Sequence, residues 1–153
     1  MSCIFCDIIE GKAPGSRIYE DDIASAFLTI HATRPGESLV IPKQHIDHFT
    51  DLPDALAAHL MVIGQHIGRK MMEVLKPSRI GYVVHGFGVA HAHLIVLPIH
   101  DATDITSARH ARQDENGQLV FDLQNVPAVP RQNLDVMADL LRIEHIDQKP
   151  PQS

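Results

Sequence analysis

The chain has 153 residues, the size of one domain and long enough to bury a core. Apolar residues make up 44% and charged residues 21%, and the formal net charge of −6 argues against the basic face of a nucleic-acid binder. No stretch approaches the roughly 20 apolar residues of a membrane span, and the start, Met1-Ser2-Cys3-Ile4-Phe5-Cys6, lacks the basic and long apolar regions of a secretory signal. The expectation is a cytoplasmic protein with neither nucleic acid nor membrane as partner.

In chain order, residues 7–10 read as a short helical turn ended by Gly11. Residues 16–20 and 23–28 read as strands turning at Asp21-Asp22, and 38–42 as a third strand. A long helix is predicted over 53–75, where Leu56, Leu60, Ile63, Ile67, Met71 and Val74 recur every three or four positions. Pro53 suits its first turn and Pro77 follows its end. His59 and His66 share one face of this helix and are expected to be polar or half-buried packing rather than a site.

Residues 79–85 and 91–97 read as two strong strands joined by Gly86-Phe87-Gly88-Val89-Ala90, a hairpin at the centre of the sheet. Residues 101–132 are less regular, with Asn116-Gly117 as a tight turn between two short extended pieces. Asn133 can cap a last helix over 134–145, with Val136, Met137, Leu140 and Leu141 as its apolar side. The pattern is α+β: a mostly antiparallel five-stranded sheet with one long helix and shorter ones. Residues 1–110 form the domain, 111–153 an extension packed on it, and the tail beyond about 147 is expected to be mobile.

Histidine is the compositional anomaly, with eleven against two tyrosines and no tryptophan. In strand 91–97 side chains alternate, so His91, His93 and Ile95 face one way and Leu94 and Val96 the other. Histidines two apart, about 7 Å along a strand, can grip an anion or a metal. Gly86 and Gly88 allow backbone N–H groups close to a phosphate. The competing reading is a solvated histidine face. At the N-terminus, Cys3-x-x-Cys6 has the spacing of two zinc thiolates. The alternative is two free cysteines, and no βαβ unit supports a redox pair.

His91-Ala-His93-Leu-Ile-Val-Leu97, the glycine-bearing hairpin before it, Leu39-Val-Ile-Pro-Lys-Gln-His45 roughly fifty residues earlier and the start Cys3-Ile-Phe-Cys-Asp-Ile-Ile-Glu-Gly-Lys12 together resemble the histidine-triad (HIT) superfamily, over about residues 1–100. The resemblance implies a HIT-like fold for residues 1–110. It also implies a nucleotide or nucleotide-like phosphate ligand, and a middle histidine, His93, that attacks the α-phosphate to form a covalent nucleotidyl-histidine. His91 is then the first triad histidine. One structural zinc per chain is implied on Cys3, Cys6, His45 and His91, with His48 a competing ligand. A homodimer is implied through the long helix and a sheet edge. Lys43, His45 and His31 are candidates for positive charge near the phosphate.

The departures are specific. Ile95 stands where the last triad histidine belongs and cannot donate a proton. Thr29 stands where an aspartate usually holds the ribose hydroxyls, His85 where an asparagine is common, and Gly88 near a usual serine. His85 or His100 can stand in for the lost polar function. Two readings follow: a nucleotide phosphoramidase-like hydrolase or nucleotidyl transferase, and a catalytically weak nucleotide- or phosphate-binding module with a structural zinc.

Overall fold

The structure, a computed structural model, describes residues 2–106, 108–122 and 125–146. Five antiparallel strands form one sheet: β1 (Arg17–Glu20), β2 (Ala24–Leu28), β3 (Ser38–Pro42), β4 (Arg79–Val83) and β5 (Leu94–Ile99), in the order β1-β2-β3-β5-β4. Helix α1 (Ile4–Ile9) precedes the sheet, α2 (Asp54–Val74) joins β3 to β4, and α3 (Arg131–Leu141) ends the described fold. Two residues on each side of the Asn116-Gly117 turn pair as a small ribbon, β6 (Arg112–Gln113) and β7 (Leu119–Val120).

The β4–β5 hairpin lies at the side of the sheet, not at its centre, because β5 pairs with β3 and leaves β4 as an edge. Strand period 2 gives the sheet two apolar faces. On one, Ala24, Ala26, Leu28, Val40, Leu94 and Val96 pack with Leu60, Ile63, Ile67 and Met71 of α2. Gly64 lets the helix settle closely there, since a Cβ at that position would lie 2.8 Å from Leu94. On the other face, Phe27, Leu39 and Ile41 pack with Phe5 and Ile8 of α1.

The two ends of the chain differ from expectation. Helix α1 begins at Ile4, three residues before the anticipated turn, because Phe5 and Ile8, one turn apart, both bury against the sheet. Helix α3 begins at Arg131 behind Pro130 and does not start from an Asn133 cap. Its buried side is Leu134, Ala138 and Leu141, while Val136 and Leu140 are exposed. The chain leaves α3 by donating the Ile143 N–H to the Ile18 carbonyl of β1, 2.8 Å, and that anchor fixes which side packs inward. The expectation of a mobile tail after 147 falls outside the described residues.

Candidate functional site

The register places side chains in rows across the α1 face of the sheet. Phe27 pairs with Leu39, Leu39 with Ile95, and Ile95 with Val83, so these four form one apolar row. One pleat further, Thr29, Glu37 and Leu97 face the same way, and the Thr29 N–H donates to the Glu37 carbonyl at 3.2 Å. One pleat in the other direction lies His93. Helix α1 overhangs these rows with Ile4, Phe5 and Ile8, which encloses a cleft of about 500 Å³. That volume suits a small-molecule ligand.

β5 begins at Leu94, so His91 and His93 precede the ladder on extended chain. Both are buried, 0% and 5% exposed, which rules out the solvated histidine face. They also do not grip one ligand together. His91 turns toward the N-terminal cysteines and His93 toward the cleft. The His93 Nδ1–H donates to the His91 carbonyl at 2.7 Å, which leaves Nε2 with its lone pair free for chemistry. The Phe5 ring lies edge-on to His93, centroids 5.4 Å apart. Burial holds His93 below the usual histidine pKa, against the His91 carbonyl, and the neighbouring His85 adds to the effect.

The His91 Nε2–H donates to the Pro42 carbonyl at 2.9 Å, so its Nδ1 presents a lone pair toward the cysteines. Nδ1 of His91 lies 3.5 Å from Cys3 Sγ and 3.7 Å from Cys6 Sγ, and His45 Nδ1 lies 3.4 Å from Cys6 Sγ. All four ligand atoms fall within 4.8 Å of one another. A tetrahedral zinc with bonds of about 2.3 Å to sulfur and about 2.05 Å to nitrogen sets sulfur–nitrogen edges at about 3.6 Å. The donor set and spacing therefore fit zinc, and this is the one such cluster among the described residues. Burial, with Cys3 beside it, pushes the Cys6 thiol up to about 11, a pair that only a cation would turn into two thiolates. The cysteine half of the cluster is local in origin: Cys3 is the N-cap residue of α1 and Cys6 lies one turn on, so both face His91, just before β5. His48, the competing ligand, is exposed beside Asp47 and outside the cluster.

Thr29, Gly88, His85 and His31 line the cleft. The His85 ring sits 6.3 Å from that of His93 and stacks on Phe87, which is 93% exposed. The His31 Nδ1–H donates to the Val126 carbonyl at 3.0 Å. Gly86, at φ +76, is exposed and does not line the cleft. Lys43 is turned away and pairs with Glu20 at 3.0 Å. His100 is exposed beyond β5, its backbone N–H bound to Asp104. Glu37 and the α1 wall were not anticipated as site residues. Alternation along 37-39-41 would have put Glu37 on the face of Leu39, but which face holds a cleft depends on where α1 docks.

An antiparallel five-stranded sheet with a histidine at the mouth of a cleft and a Cys₂His₂ cluster behind it defines a HIT-type fold and site. The chain belongs to the HIT family: the family model described as HIT domain matches residues 10–102. An uncharacterised HIT-like protein of Mycoplasma genitalium is 31% identical over 81% of this chain and 95% of its own. An adenosine 5'-monophosphoramidase of Schizosaccharomyces pombe is 35% identical over 64% of this chain and 74% of its own. The crystal structure of a Zn-bound histidine triad family protein from Mycobacterium smegmatis superposes with a TM-score of 0.69 at 30% identity, covering 93% of this chain and 91% of that one.

Proposed function

We propose that the chain is a nucleotide hydrolase or nucleotidyl transferase of the phosphoramidase kind, acting through His93. The observation that carries this is the His93 Nδ1–H bond to the His91 carbonyl, which fixes the tautomer and aims an unprotonated Nε2 at the cleft. In the first step the Nε2 lone pair attacks the α-phosphorus. A P–N bond forms, the bond to the leaving group breaks, and that group takes a proton from solvent water. In the second, water or another acceptor attacks the same phosphorus, the P–N bond breaks, and the nucleotide leaves. Neutral His93 at pH 7 suits the first step. The monophosphoramidase from fission yeast supports this class of chemistry.

Cys3, Cys6, His45 and His91 would hold one structural zinc per chain, as the Zn-bound mycobacterial relative supports. Bound there, zinc would cross-link α1 to the segment before β5. The chain's own part is to hold His91, whose carbonyl orients His93. Reduced cysteines at this site suit the cytoplasm. We also propose a homodimer, for which the open edge of β4 and the exposed Met61, Met72, Tyr82 and Val84 provide a surface.

Ile95 favours a second reading, a binding module with weak catalysis, since it adds only apolar contact beside His93. Intact mass measured after mixing with an adenosine phosphoramidate decides between them. The enzyme reading expects a nucleotidyl adduct that disappears in His93→Ala while the fold is retained. Turnover that survives His93→Ala would sink it.

A further inference from the structure

The segment that leads into α3 is bound along the chain that follows β2. The Val129 N–H donates to the Ile30 carbonyl at 2.8 Å, and the His31 Nδ1–H donates to the Val126 carbonyl at 3.0 Å. These bonds bring Arg131, the first residue of α3, to the wall of the cleft, where it is the one guanidinium or ammonium among the described residues. Its position is built. Asp135, one turn on, accepts the buried Ser16 hydroxyl at 2.6 Å, and the Ser16 oxygen in turn accepts an Arg131 Nη1–H at 2.9 Å. An Nη2–H donates to the Pro14 carbonyl at 3.4 Å. Among the described residues these are its only polar partners, and neither is a carboxylate. A guanidinium carries five N–H donors in a planar fork, so three remain for a ligand.

Arg131 stands at the corner of the cleft away from the reacting histidine. The Leu28 N–H donates to the Ser16 carbonyl at 3.1 Å, which sets this anchor beyond the apolar row of Phe27, Leu39 and Ile95. The strand it leads, β1, lies three strands from β5, about 14 Å across the sheet. A nucleotide with its phosphate at His93 passes the apolar row with its sugar and turns its base toward this corner. Guanine presents O6 and N7 as adjacent acceptors, which a guanidinium fork takes together. Adenine sets an amino group beside N7 and meets the fork with a donor.

We propose that Arg131 donates to O6 and N7 of a guanine or hypoxanthine base and makes the cleft prefer these oxopurine nucleotides over adenine nucleotides. The proposal rests on the nucleotide reading above. Arg131 lies outside residues 10–102 matched by the HIT domain model, so the preference belongs to this chain's C-terminal extension. Arg131 is a specificity-determining residue, separate from the attacking histidine.

Calorimetric titration of the full chain with guanosine, inosine and adenosine 5'-monophosphates tests it. Wild type is expected to bind the first two alike and about fivefold or more tighter than the third. The 7-deaza analogue of guanosine 5'-monophosphate keeps O6 and lacks N7, and should lose part of that gain with no change to the protein. Arg131→Met keeps the apolar stem and removes the fork, and should bring the guanine and hypoxanthine ligands down to the affinity of the adenine one. If that variant does not fold, the 7-deaza ligand on wild type decides. Equal affinity of wild type for the guanine and adenine ligands overturns the proposal and leaves the nucleotide reading standing. A gain confined to guanine and absent from hypoxanthine overturns it, since the 2-amino group is then what is read. So does a 7-deaza ligand that binds as tightly as its parent, or a preference that persists in folded Arg131→Met. A folded wild type that binds none of these ligands removes the nucleotide reading and this proposal together.

Discussion

His93 and Ile95 are two residues apart on one face of the chain, and the difference between them governs what the cleft can do. His93 carries a positioned lone pair, while Ile95 lies between Leu39 and Val83 in an apolar row. A leaving group with a poor affinity for negative charge needs a proton, and a positioned acid contributes about 10²–10⁴-fold. Wild type should therefore be slow on phosphoramidates with poor leaving groups and less handicapped with fluoride. Ile95→His should raise kcat/KM on the first class by about tenfold or more and change the second little. The ratio of kcat/KM between the classes, before and after substitution, is the measurement. Equal rates in wild type would mean that another side chain supplies the proton, and His85, ring to ring 6.3 Å from His93, is the first to replace. Strand alternation made the shared direction of His93 and Ile95 readable in sequence. It did not separate His91 from His93, because that division depends on where Cys3, Cys6 and Pro42 lie in space.

At the scale of elements, α1 and the β1–β2 turn are each tied to the body by a few polar contacts. The Cys₂His₂ cluster joins α1 to the segment before β5, so metal should report on the attachment of the whole helix. Protein purified without chelator should contain one zinc per chain by elemental analysis. Cys3→Ser should lose it and lower Tm by about 5 °C or more. Zinc content unchanged in that variant would refute the assignment. In the turn, Asp21 Oδ1 accepts the Ile23 and Ala24 N–H groups at 2.9 and 2.8 Å, while Oδ2 accepts the Tyr19 hydroxyl at 2.8 Å and the His59 Nε2–H at 2.6 Å. Burial raises the Asp21 pKa, but these donors, His59 foremost, outweigh it and hold the carboxyl below its usual 3.8. The stabilisation is present above pH about 4 and is lost as pH falls through the lowered value. Asp21→Asn should cost about 1–3 kcal/mol at pH 7, with a smaller difference from wild type in acid, read by urea denaturation across pH. His59 was expected as a polar or half-buried helix residue, and it packs in that way, against this turn. Helix α2 was legible from its apolar period over three-residue and four-residue steps. Helix α3 was misphased, since a short amphipathic segment with apolar residues on two sides takes the side that its docking on β1 selects.

For the molecule as a whole, the open edge of β4 is the feature to account for. An exposed strand edge beside Met61, Met72, Tyr82 and Val84 is a surface that a second copy can cover by two-fold pairing. Light scattering at micromolar concentration should give about twice the 16.9 kDa of one chain, and a charged residue at Val84 should shift the protein toward monomer. The mass of a single chain for wild type would refute the dimer.

What the sequence determined by itself was whatever depends on near neighbours. Short apolar runs bounded by turn residues specified the strands, the three-to-four period specified α2, and the Cys3-x-x-Cys6 spacing specified half of a metal site. The ordered motifs around Pro42, His45 and His91 carried the family. What only tertiary structure decided depends on pairs distant along the chain. β4 became an edge because β5 chose β3 as its second partner. Lys43 left the cleft because Glu20 was within reach on β1, and Glu37 entered it beside Thr29 because β2 and β3 pair in that register. Local patterns are set by backbone geometry within a few residues, whereas these outcomes turn on which surfaces meet, and that is settled only when the whole chain packs.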